Sequence, residues 1–154
     1  MTVAVDSNVL FDLLLDDPEH ADASRTALLS AARSGPVVIC PVVYAELTAH
    51  FAHAGDLDRF LGDAGVQMTG FEPESLVSAG DAWKRYRRRA KEQPRDRCPH
   101  CRRAIVPRRR VITDFLIGGH AMVQASRLLT RDRGYYRTYF PRLAVVDPET
   151  RTAD

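Results

Sequence analysis

A chain of 154 residues, 45% of them apolar, is long enough to bury one core and too short for two independent ones. Residues 35–41 form an apolar stretch far below the roughly 20 residues a membrane span needs, so no membrane segment is expected. The net charge of +2 is an average of opposites, with residues 84–110 carrying +11 and the remaining residues −9.

The N-terminus has no basic region and meets Asp6 almost at once. It does not read as a secretory signal, and a cytoplasmic protein is expected. Residues 2–5 read as a first strand, followed by a helix over 8–15. Asp17-Pro18-Glu19 has the form of a helix start, with Asp as cap and Pro in the first turn, and that helix is expected to run to Arg33 before Ser34-Gly35. Residues 37–40 predict a second strand, and Pro41 opens a helix to about residue 52. A short helix over 56–64 precedes a strand over 66–69, and a longer helix follows over 73–90. Residues 91–110 lack apolar periodicity and contain Pro94, Pro99 and Pro107, which predicts a basic loop insertion in a single domain spanning 1–154. A helix over 112–126, a strand over 127–130 and an edge strand over 143–146 complete the chain. Short apolar runs alternating with helical patterns predict an α/β fold around a mostly parallel sheet.

The basic block of 84–110, set on an acidic body, suggests a polyanionic partner such as nucleic acid, because Lys and Arg contacts to phosphate release counterions. The plain alternative is a solvated helix face and loop.

Four acids stand out by position. Asp6 and Asp132 each follow a predicted strand, where ligands bind in open α/β sheets. Glu46 lies in the helix after the second strand, and Asp114 in the first turn of a later helix. Glu46 and Asp114 are embedded in apolar sequence, where an unpaired acid is costly. Clustered carboxylates suit a hard cation such as Mg²⁺ or Mn²⁺, held by oxygen ligands beside a phosphate. Without a cation they repel, and some protonate. Taken singly, each has an ordinary role: helix cap, dipole partner, turn residue or salt bridge.

Val5-Asp6-Ser7-Asn8-Val9-Leu10 resembles the opening of PIN-domain nucleases. Tyr44-Ala45-Glu46-Leu47 looks like their second acid, and Thr113-Asp114-Phe115-Leu116-Ile117-Gly118 their third. Leu129-Thr130-Arg131-Asp132-Arg133-Gly134 looks like the fourth, and Phe140-Pro141 to Val146-Asp147-Pro148 the ending. Within that family the chain is most similar to the VapC-type toxins of bacterial toxin–antitoxin pairs. The resemblance implies a three-layer α/β/α fold, Mg²⁺- or Mn²⁺-dependent endonuclease action on RNA, homodimerisation and inhibition by a small antitoxin. It implies a site of Asp6, Glu46, Asp114 and Asp132. Ser7, Asn8 and Thr130 are expected as substrate contacts, the two hydroxyls orienting water or phosphate, with ordinary turn hydroxyls as the alternative. A non-catalytic nucleic-acid or protein-binding module on the same fold is the alternative. A phosphatase using Asp6 as nucleophile is disfavoured, since that chemistry wants a second aspartate where Asn8 stands.

Several weaker signals remain. Three cysteines, an odd number, argue against a disulfide framework. Cys98-Pro99-His100-Cys101 is half of a zinc site, to be completed across a dimer or by a partner; a redox pair and ordinary thiols stay open. Glu46, His50 and His53 are expected to share one helical face. Gly118-Gly119 suggests close approach of another backbone, with a dimer seam as one setting. Trp83 and Tyr86, three apart, are expected to pack in the core, with base stacking as the alternative, and His120 to be a packed or capping histidine.

Overall fold

A computed structural model describes residues 1–92, 100, 101 and 112–150. The elements run β1 (Val3–Val5), α1 (Ser7–Leu14), α2 (Ala21–Ser34), β2 (Val37–Ile39), α3 (Pro41–Thr48), α4 (Ala54–Asp63) and β3 (Val66–Met68), then α5 (Pro73–Glu92), α6 (Ile112–Gln124), β4 (Arg127–Leu129), α7 (Arg133–Tyr139) and β5 (Val145–Val146). All pairings are parallel, in the order β3-β2-β1-β4-β5. Val-Ala-Val makes the central strand β1 and Val-Val-Ile its neighbour β2, and every residue in them is buried. Such unbroken apolar runs are what a parallel strand covered on both faces requires. At the β3 edge only Val66 is buried, and Met68 is half exposed.

The chain first builds outward from β1 to β2 and β3, then returns to the opposite side of β1 for β4 and β5. Right-handed crossovers then place α1–α4 on one face and α5–α7 on the other, giving three α/β/α layers. Helices α5 and α6 are the most extensively packed pair. Gly118 and Gly119 allow this: a methyl at Gly119 would collide with the Ser75 carbonyl and Ala79 of α5, and one at Gly118 with the Phe140 ring. The close approach expected at this pair is therefore to α5 and Phe140 of the same chain, which accounts for both glycines without a dimer seam. Phe115 is fully buried within a cluster of Trp83, Tyr86, Tyr135 and Tyr139, as expected for the first two.

Two expectations shift, and one helix had no expectation at all. Asp17 caps a turn rather than α2 itself: its carboxylate accepts the Glu19 and His20 amides at 2.9 and 3.0 Å, with α2 starting at Ala21. Those amides, Glu19's first, lower its pKa. Helix α3 stops at Thr48, tightened by bonds from His50 to the Leu47 carbonyl and from Phe51 to the Thr48 carbonyl. His50 and His53 therefore leave the helix and share no face with Glu46. His50 packs edge-on against Phe11 at 4.8 Å, and His53 is the N-cap of α4. Helix α7 was not legible, having a glycine and weak helix formers; burial of Tyr135 and Tyr136, and an ion pair of Arg133 with buried Asp147 at 2.7 Å, hold it.

Candidate active site

The direction of building changes at β1, which pairs β2 on one side and β4 on the other. A crevice beyond the carboxyl ends of such strands is where open α/β sheets bind ligands. Asp6 follows β1, and Thr130-Arg131-Asp132 follows β4. The ladder continues one step past both strands, with the Asp6 amide donating to Leu129 O at 3.0 Å and the Thr130 amide to Val146 O at 3.0 Å. The two segments that carry acids are thus fixed by backbone before any side chain acts.

Asp6 is buried, and three side chains converge on its Oδ2: Thr130 Oγ1 at 2.7 Å, Asn8 Nδ2 at 2.9 Å and Tyr136 OH at 3.3 Å. Ser7 Oγ approaches Oδ1 at 3.4 Å. Thr130 Oγ1 in turn accepts the Asp132 amide at 3.0 Å and Asn8 Nδ2 at 3.1 Å, so one hydroxyl links the acids after β1 and β4. Burial raises the Asp6 pKa from 3.8 to about 6; the Thr130 bond opposes this, and the Asp114 charge adds to it. Desolvation exceeds what the donors return. Tyr136 is pushed well up, first by its own burial and then by the Asp6 and Asp114 charges, so its hydroxyl stays a donor.

Asp114, half-buried in the first turn of α6, is the acid whose charge reaches Asp6. Asp132 is half-buried and is the N-cap of α7. Glu46 is half-buried on α3, a helix that packs against both α1 and α6. The structure therefore joins Asp6, Asp114 and the Asp132 loop at one edge, with Glu46 on a neighbouring helix. Among the described residues, no three His, Cys, Asp or Glu side chains stand close enough to hold one ion. The donor chemistry nonetheless fits a hard divalent cation: oxygen ligands, and a buried carboxylate that an adjacent carboxylate makes harder to ionise.

Ser7, Asn8 and Thr130 all lie at this edge, but Asn8 and Thr130 direct their bonds inward, onto Asp6 and the Asp132 loop. Tyr136 was missed in the sequence. Its spacing of four from Asp132 is the available signal, readable only if α7 is known to be helical. His120 is buried against Thr69, Nε2 to Oγ1 2.8 Å, and burial lowers its pKa; it belongs to the core, as expected. Cys40 is buried at the N-cap of α3 rather than in a strand, and burial raises its thiol pKa. Cys101 is an exposed free thiol, while Cys98 and most of the expected insertion at 91–110 lie outside the described residues.

The fold is shared with chains of known structure. A chain of VapBC2 from Rickettsia felis, bound to a DNA fragment from their promoter, is similar with a TM-score of 0.62 and 17% identity, covering 96% of this chain and 98% of that one. A chain of FitAcB from Neisseria gonorrhoeae gives a TM-score of 0.58 at 18% identity, covering 95% and 97%. A chain of FitAB bound to an IR36 DNA fragment gives 0.57 at 19% identity, covering 95% and 94%. No curated protein matches the sequence. The PIN domain profile matches residues 3–141, nearly the whole chain, and with the acids placed at the switch point of a parallel sheet, the chain belongs to the PIN domain family.

Proposed function

We propose that this protein is a Mg²⁺- or Mn²⁺-dependent endoribonuclease, the toxin of a type II toxin–antitoxin pair. In this reading it is a cytoplasmic homodimer, a single domain with a basic insertion at about 91–110, restrained by a small cognate antitoxin. PIN domains are generally nucleases. The observation that carries the reading is buried Asp6 at the switch point, within reach of the Asp114 charge, its pKa raised to about 6 chiefly by burial. A buried acid made harder to ionise by its burial and by the charge of a second acid is what a cation-binding centre presents before its cation arrives.

Asp6 and Asp114 would bind the cation, with Asp132 and Glu46 completing the acidic edge. When bound, the cation supplies Lewis-acid chemistry: activation of water near neutral pH and neutralisation of charge at the phosphate. Thr130 fixes the Asp6 oxygen and the Asp132 amide together. Asn8 aims Asp6 and holds the Arg131 amide, so Asn8 and Thr130 act on the substrate through the acids, whereas Ser7 is left for direct contact. Exposed Arg87 and Arg88 of α5 lie on the helix that leads toward the start of α6 and Asp114, and would track RNA phosphates. The similarity to chains of VapBC2 and FitAB complexes supports an antitoxin partner. Cys98 and Cys101 would hold Zn²⁺ only if a second chain supplied the remaining ligands.

The test is cleavage of single-stranded RNA by purified protein with Mg²⁺, with Mn²⁺ and with EDTA. Asp6→Asn, Asp114→Asn and Asp132→Asn should each abolish cleavage while the protein stays folded, and Glu46→Gln should be severe. Cleavage that survives EDTA, or persists in Asp6→Asn, overturns the reading. RNA binding without cleavage under any metal would establish the non-catalytic module instead.

A further inference from the structure

Arg131, between Thr130 and Asp132, sends its side chain away from the acid edge toward α1. Its Nη2 donates to Oδ1 of Asp12 at 2.8 Å, and Ser24 of α2 donates to the other oxygen, Oδ2, at 2.6 Å. Asp12 is 2% exposed, one of the few buried acids in the described chain. The Arg131 amide donates to Oδ1 of Asn8, one helical turn before Asp12, at 3.2 Å. The loop that carries Asp132 is therefore attached at three points, through Thr130 to Asp6, through the Arg131 amide to Asn8, and through the guanidinium to Asp12.

An ion pair with one buried partner is weak support for stability, because desolvation of Asp12 offsets much of the attraction to a partly exposed Arg131. The Arg131 Nε is moreover buried without a hydrogen-bond partner among the described residues, a cost to the fold. What the pair does provide is direction. The guanidinium is tied to a buried carboxylate that α1 carries and Ser24 of α2 holds, and the backbone that bears it also bears Asp132. The cap of α7 does not supply this restraint, since Asp132 makes no side-chain cap bond to the helix it starts.

We propose that Asp12 and Arg131 are positioning residues that hold the loop after β4 so that Asp132 faces the acid edge. The inference rests on the reading of Asp132 as a member of the cation-binding set. Outer partners of metal-binding groups typically change affinity or activity by about 10–100-fold when altered. Asp12→Asn, Arg131→Gln, Arg131→Lys and the Asp12→Asn/Arg131→Gln double variant are compared with wild type by three measurements. These are urea unfolding, hydrogen exchange of the Asp132 amide in metal-free protein, and kcat and KM on an RNA substrate.

In Asp12→Asn and Arg131→Gln, exchange at Asp132 should rise by about 10-fold or more relative to the Leu128 amide, and kcat should fall about 10–100-fold with KM within about threefold. The double variant should be no worse than the worse single one, since both break the same link. Arg131→Lys, which keeps the charge but not the planar, pre-set guanidinium that reaches Asp12, should recover part of the rate and covers the case in which Asp12→Asn does not fold. Unchanged kcat and Asp132 exchange with a lowered urea midpoint would make the pair merely structural and overturn the proposal, as would additive effects in the double variant. If wild type cleaves no RNA with any metal, the functional reading fails, and Asp132 exchange alone then supports or overturns the clamp.

Discussion

The charge state of Asp6 makes a prediction about stability that is separate from catalysis. Its pKa is 3.8 in an ordinary environment and about 6 in the metal-free fold, raised chiefly by burial. The folded state thus holds the Asp6 proton more tightly than the unfolded state. The stability this contributes is fully present below pH 3.8 and is lost as pH rises through about 6. The interval corresponds to about 3 kcal/mol for a group this deeply buried, and to about 6–12 °C in Tm for a chain of this size. Asp6→Asn removes the titration and keeps a side-chain oxygen to accept the Thr130 and Asn8 bonds. The stability difference between Asp6→Asn and wild type should therefore swing by about 2.4 kcal/mol in favour of Asn between pH 4 and pH 7, most of the full interval. Urea unfolding of both proteins in EDTA, at half-unit steps of pH, measures this swing, because titrating groups not coupled to Asp6 cancel in the difference. Saturating Mg²⁺ at pH 7.5 should stabilise wild type and leave Asp6→Asn unmoved. A difference independent of pH, or one that moves toward wild type as pH rises, would refute the argument that burial dominates at Asp6.

Other outcomes follow from packing and charge. Neutralising Arg87, Arg88 and one further arginine of the 84–110 block should weaken RNA binding and flatten the log–log salt slope by about 2, at roughly 0.7 per phosphate contact on a single strand; an unchanged slope would assign the block to another role. Gly119→Ala should cost about 1–3 kcal/mol in urea unfolding, because the added methyl meets the Ser75 carbonyl and Ala79, and a neutral result would mean α5 can move away. Elemental analysis of protein purified without added zinc should give about half an equivalent per chain if Cys98 and Cys101 share an ion across a twofold axis. No zinc would leave them ordinary thiols.

The strands were legible because Val-Ala-Val and Val-Val-Ile runs can be buried on both faces only in a parallel sheet, and local apolar composition is enough to reveal that. The positions of Asp6 and Asp132 past strand ends were legible for the same reason. Helix ends were less so. Asp17 looks like the cap of α2 but closes a separate turn, and α3 ends before His50, because tertiary packing decides where a marginal helix stops. Helix α7 was hidden, since its stability comes from burying Tyr135 and Tyr136 and not from propensity. Only the fold could bring Asp114, 108 positions along the chain, beside Asp6, or show that Thr130 and Tyr136 both donate to the same oxygen. The link between Asp12 and Arg131 was likewise invisible: sequence marks an acid on a helix, but which cation it faces, and whether water is excluded there, depends on contacts between residues 119 apart. Sequence alone determined which groups are available, because residue chemistry is local; the tertiary structure decided which of them interact, because burial and distance set every electrostatic and hydrogen-bonding energy in the site.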